Sequence, residues 1–153
     1  MKPHVFQINI SDGGVPKQSV PQANISAQGV AGDRQRNLKV HGGPDRAVCL
    51  FALESILALQ EEGHPIYPGA AGENLTLAGL DWAALQPGDR LQIGSQVVLE
   101  LTRYTEPCGN LAPFFTRGDF HRIAPDTHPG QARFYARVLQ GGEVTAGDLV
   151  LVR

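Results

Sequence analysis

A succession of short alternating apolar runs, each closed by glycine or proline, limits what this chain can fold into. Residues 5–10 alternate and stop at Ser11-Asp12-Gly13-Gly14, a tight turn with positive-φ positions. Pro87-Gly88-Asp89 turns into residues 90–93, and Gly94-Ser95 joins that run to residues 96–102 as a hairpin. Residues 132–139 alternate up to Gln140-Gly141-Gly142, and residues 144–152 close the chain with another strand. With 18 glycines and 11 prolines available for such turns, a strand-rich fold with many loops follows. Helical spacing is clear in one place, residues 53–62, where Leu53, Ile56, Leu57 and Gln60 form the expected stripe and Gly63 ends the helix.

At 153 residues the chain fits one domain, 1–153, with a sizeable core. A net charge of −2, with arginines spread along the chain, argues against a nucleic-acid polymer or a polybasic membrane surface as partner. No stretch reads as a signal peptide or membrane span, so the expected location is cytoplasmic. The two cysteines lie far apart in unlike surroundings, with no CxxC spacing, which excludes a disulfide framework.

Cys49 sits among core-type residues. Cys108 follows Glu106-Pro107, and a proline there cannot continue a strand ladder, so Cys108 belongs to a loop. Arg103 lies close behind it, and a nearby cation favours the thiolate, which is both nucleophile and metal ligand. Upstream, His41-Gly42-Gly43-Pro44-Asp45-Arg46 gathers three chemically active side chains in one flexible loop before a buried strand, where ligand contacts concentrate. Gly72-Glu73-Asn74 opens another short strand; its carboxylate and amide serve either a ligand or the preceding loop, with structural use the default. Asp81 is placed to cap a single helical turn, residues 111–115 suit a short helix, and residues 117–130 read as a long loop, a functional cover or a mobile segment.

Taken in order, Gly29-Val30-Ala31-Gly32-Asp33-Arg34-Gln35, His41-Gly42-Gly43-Pro44-Asp45-Arg46-Ala47, Gly72-Glu73-Asn74-Leu75-Thr76, Pro87-Gly88-Asp89 and Pro107-Cys108 resemble the MOSC domain, the C-terminal domain of molybdenum-cofactor sulfurase, in its small stand-alone bacterial form. The resemblance implies a mainly β, α+β fold: a compact closed β-barrel, of the pyruvate-kinase-barrel-like type, with peripheral helices. It implies a pocket for the molybdenum cofactor (molybdopterin), a pterin dithiolene carrying a phosphate. Cys108 matches the cysteine that is the metal ligand in reductase members and the proposed sulfur carrier in sulfurase-type members, and a soft thiolate suits either role. Arg34, His41, Arg46, Asn74 and Arg103 are the expected anchors for phosphate and pterin edges, with Gly42 and Gly43 allowing close backbone approach.

The chain carries no aminotransferase-like domain, so no pyridoxal phosphate is expected on it, and a persulfide would come from a separate cysteine desulfurase. It carries no iron–sulfur domain, so electrons would come from a separate flavin or iron–sulfur donor. The leading expectation is a cofactor-dependent reductase of N-hydroxylated compounds such as hydroxylaminopurine-like bases. A sulfur-carrier or cofactor-delivery module is the alternative, and an interaction-only barrel the third. A homodimer is plausible for so small a domain.

Overall fold

The computed structural model describes residues 1–34 and 43–153. In chain order the strands are β1 (His4–Ile10), β2 (Gln18–Val20), β3 (Gln22–Ser26), β4 (Gly29–Val30), β5 (Val48–Ala52), β6 (Leu75–Ala78), β7 (Arg90–Ile93), β8 (Val97–Thr105), β9 (Arg133–Gln140), β10 (Gly142–Thr145) and β11 (Val150–Val152). The α-helix α1 (Leu53–Glu61) links β5 to β6, which run parallel with Leu50 opposite Leu75. None of the helices among the described residues is long and apolar enough to cross a membrane.

Eight strands make one sheet in the order β11-β7-β8-β9-β5-β6-β1-β2, and β10-β3-β4 make a second. The mainly β, α+β expectation fits this architecture, but the closed barrel does not: the first and last strands of the large sheet do not pair. The sheet curls far enough for His4 to bridge Leu149, and Val5 N–H donates to Asp148 O at 2.8 Å. A ladder cannot continue from there, because the next part of the same edge of β1, Ile8 to Ile10, is taken by β2. The closing residues 144–152 also form two strands, because Gly147 and Asp148 make a turn between β10 and β11.

β5 is buried on both faces, as befits a strand covered on each side. Val48, Leu50 and Ala52 join the main core with β1, β6, β7, β8 and β9, whereas Phe51 faces a second cluster around α1. The stripe of α1 is rotated from its expected position. Ile56 and Leu59 are buried, Leu57 is 49% exposed, and Gln60 is used instead to donate from Nε2 to Ile66 O.

The expected long loop is largely ordered into 3-10 turns at Thr116–Gly118 and Phe120–Ile123. Phe115 and Ile123 sink into the α1 cluster, and Arg122 grips Glu62 through both Nε (2.9 Å) and Nη2 (2.6 Å). That guanidinium holds the Glu62 carboxyl below the usual glutamate range. Asp81 precedes the turn Trp82–Ala84 as expected, without a side-chain cap bond.

Candidate functional site

The Cys108 loop, the start of β9 and the turn between β1 and β2 enclose a cavity of about 90 Å³. Its lining includes Lys17, Arg34, Cys49, Asn74, Glu106, Cys108, Arg133 and Tyr135. β8 runs to Thr105, three residues beyond the expected end, and Glu106-Pro107 then leaves the ladder as proline requires. Cys108 is half-buried at the entrance to a 3-10 turn, Gly109–Phe114, and its carbonyl accepts from Leu111 N–H at 3.0 Å. Leu111 is buried in the α1 cluster, so the core beneath fixes the cysteine's position.

The opposite wall is a buried polar network. Lys17 Nζ donates to Asp33 Oδ1 at 2.6 Å, with both side chains under 10% exposed. The same oxygen accepts from Ser11 N–H, and Asp33 Oδ2 accepts from Asn74 Nδ2 at 3.0 Å. Asn74 Oδ1 in turn accepts from Cys49 N–H at 2.9 Å, while Asn74 N–H donates to Cys49 O. A buried ion pair with its remaining atoms hydrogen-bonded is costly to break from either side. Gly69 permits this arrangement: Lys17 N–H donates to Gly69 O, φ there is +92°, and a Cβ would stand 2.6 Å from Lys17 O.

Arg133 forms the floor and is 6% exposed. Trp82 sets the start of β9 by donating its indole N–H to Ala132 O at 2.7 Å, immediately before Arg133. Arg133 Nη1 donates to Ala71 O at 2.6 Å, but Nε is buried without a partner, a state that costs about 1–3 kcal/mol. Beneath it lies Glu73, fully buried, whose Oε2 accepts from Gly69 N–H and Thr76 Oγ1 while Oε1 has no partner. Burial pushes the Glu73 carboxyl up, against the pull of those two hydrogen bonds and of the Arg133 charge. Burial likewise raises the Cys49 thiol, opposed by Arg133. The Tyr135 phenol is raised far above its ordinary value by burial and by Cys49, with the Arg46 guanidinium 5.8 Å from the ring centre.

Of the residues expected from sequence, Cys108, Arg34 and Asn74 line the cavity. Arg34 is exposed and stands 3.7 Å from Asp12. Asn74 spends its side-chain amide on Asp33, Cys49 and Asn9 O. Arg46 lies one ring away behind Tyr135, while Gly43 is exposed at the start of the turn Pro44–Arg46. Arg103 is exposed on β8 and is not part of the lining. His41 and Gly42 lie outside the described residues.

Sequence reasoning missed Lys17, Asp33, Arg133 and Tyr135. A signal existed for Arg133 and Tyr135: they alternate with Ala132, Phe134 and Ala136, which put the polar face of a central strand under the cavity.

The profile of the MOSC domain matches residues 37–151. The chain belongs to the MOSC domain family. This MOSC chain is 36% identical over 117 residues to the uncharacterized protein YflK of Bacillus subtilis (strain 168), covering 76% of this chain and 52% of YflK. It is 32% identical over 130 residues to a protein of Gibberella moniliformis named as a reductase, covering 82% of this chain and 22% of that one. YiiM from Geobacillus stearothermophilus superimposes with a TM-score of 0.79 at 26% identity, over 99% of this chain and 75% of that one. The chain thus spans about half the length of YflK and a smaller part of the reductase.

Proposed function

We propose that this MOSC domain binds the molybdenum cofactor at the Cys108 cavity and serves a two-electron reduction of an N-hydroxylated compound. The observation that carries the reading is the half-buried Cys108 at the mouth of a cavity whose far wall holds Lys17 and Arg133. A soft thiolate at the mouth suits a high-valent metal that brings dithiolene sulfurs of its own, and the Arg34 guanidinium at the rim suits the cofactor's phosphate. Arg133, in the lining with its Nε unpartnered, keeps hydrogen-bonding capacity beside the cavity. When bound, the group would supply the redox change that a chain with two thiols lacks.

The chain's own residues have separate tasks in this reading. Cys108 holds the metal end, fixed by Leu111 beneath it. Arg34 at the rim and Arg46 behind Tyr135 hold the phosphate and pterin edges, together with His41 and Gly42, which lie outside the described residues. Asn74 acts by keeping Asp33 and Cys49 in place. The relative named as a reductase supports redox chemistry at the level of the family. Electrons would come from a separate flavin or iron–sulfur protein.

Molybdenum and pterin content of protein isolated from a molybdenum-replete host, wild type beside Cys108→Ser, tests this. Metal bound in the wild type and lost in the variant is the expected result. Metal absent from both, in a host shown to make the cofactor, would reject it. The partial exposure of Cys108 favours one second reading, a sulfur carrier charged by a cysteine desulfurase. A mass increase of one sulfur atom on Cys108 after incubation with such an enzyme would then replace the first.

A further inference from the structure

Two buried cations, Lys17 and Arg133, line the Cys108 cavity, and only Lys17 has a carboxylate within ion-pair distance among the described residues. Lys17 has Asp33 at 2.6 Å. Arg133 forms no ion pair among the described residues, and its single hydrogen bond runs from Nη1 to a backbone carbonyl. The Nε–Nη2 edge of its guanidinium, the edge that meets two oxygens side by side, is therefore unclaimed, with Nε withdrawn from solvent. Glu73 makes no direct bond to it: one carboxyl oxygen is engaged by Gly69 and Thr76 and the other meets no partner among the described residues. Burial, moreover, favours the neutral form of that carboxyl. A buried guanidinium in the lining of a cavity of about 90 Å³, held at Nη1 and with no partner at Nε, is suited to a small planar anion that enters beside it.

We propose that Arg133 is the anion subsite of this cavity, where its Nε–Nη2 edge holds a carboxylate or nitrate-like oxyanion group of the substrate beside Cys108. The substrate class is thereby narrowed to small molecules with a negative, two-oxygen group. This deepens the reductase reading and rests on it for the reaction, whereas the anion binding itself can be measured without the cofactor. Lys17 contributes by completing the wall, and Arg34 at the exposed rim guides the anion in.

The full chain, purified from a host that makes no cofactor, is alkylated with iodoacetate and with neutral iodoacetamide. Both displace iodide from carbon by attack of the thiolate, and they differ in charge. Modification of Cys108 is followed by peptide mass spectrometry, with both rates normalised to those of free glutathione at the same pH and ionic strength. The expected preference for iodoacetate is about tenfold or more, as one bidentate charge-assisted contact provides, and inorganic nitrate should suppress it saturably. Arg133→Gln should abolish it, Arg133→Lys should retain a small part, and Arg90→Gln, an exposed arginine on β7, should leave it intact. A normalised ratio near one in the wild type overturns the proposal whether or not the variants fold.

Nitrate titrated calorimetrically into cofactor-loaded protein separates two sources of the anion. Binding retained after loading assigns the subsite to substrate. Binding lost on loading gives it to the cofactor's phosphate and overturns the substrate assignment. Molybdenum content is measured independently, so failure of the cofactor reading and failure of the anion subsite are distinguishable.

Discussion

The two sides of the cavity are held in opposite ways. On the buried side, Lys17, Asp33, Asn74 and Cys49 are tied to one another by hydrogen bonds between four separate parts of the chain. On the open side, residues 106–110 make few polar bonds, and the loop is placed by one apolar anchor, Leu111. The buried side therefore sets the shape and charge of the site, and the open side carries its reactive atom. A thiol on a lightly bonded loop can meet a ligand or a partner without disturbing the fold, because the polar network that would resist movement lies across the cavity.

That contrast is broken most severely by Asp33→Ala. The substitution leaves the Lys17 ammonium buried without its counter-ion and frees the donors of Ser11 and Asn74. A loss of about 3–5 kcal/mol in urea denaturation is expected, the usual cost of orphaning one member of a buried pair. Gly69→Ala comes next at about 1–3 kcal/mol, since a Cβ meets the Lys17 carbonyl and φ is positive. If Gly69→Ala were neutral, the Lys17 segment would be free to shift, and the buried side would be less rigid than its bonds imply.

Glu73→Gln sharpens the comparison through pH. The folded carboxyl titrates above its ordinary value of 4.5, chiefly because of burial. A raised folded value means stabilisation complete at pH below the unfolded value and lost as pH rises through the folded one. The wild type should therefore lose stability from about pH 4.5 upward, while the glutamine variant lacks that slope. Parallel curves for the two proteins would mean that Glu73 is ionised in the fold.

How much of this was legible beforehand follows from what each signal depends on. Period-two alternation and glycine-proline turns are local, so most strands and the hairpin of β7 and β8 could be placed, as could α1. Barrel closure depends on which strand occupies an edge, and β2 taking Ile8 to Ile10 leaves no local mark. Cys108 was visible because proline and glycine flank it. Arg133 belongs to an alternating run that does not by itself say which face is buried, and the β5-β9-β8 order, with the Cys108 loop beside it, places that residue in the cavity lining. Arg103 shows the reverse: close to the cysteine in sequence, it stands exposed on β8.

The smallest effect is expected on the open side, and it tests the contrast from the other end. Glu106 lines the cavity and is exposed, and no hydrogen bond or ion pair ties its side chain among the described residues. Glu106→Gln keeps its size and removes its charge. Stability should stay within about 0.5 kcal/mol of wild type, as for other surface positions free of special contacts. The same substitution removes a negative charge beside an anion-binding floor, so the iodoacetate preference at Cys108 should rise modestly as Coulomb repulsion is relieved. A urea midpoint shifted as far as that of Asp33→Ala would place the mouth within the buried network and dissolve the distinction. An unchanged midpoint with an altered alkylation ratio would instead locate stability on one wall of the cavity and reactivity on the other.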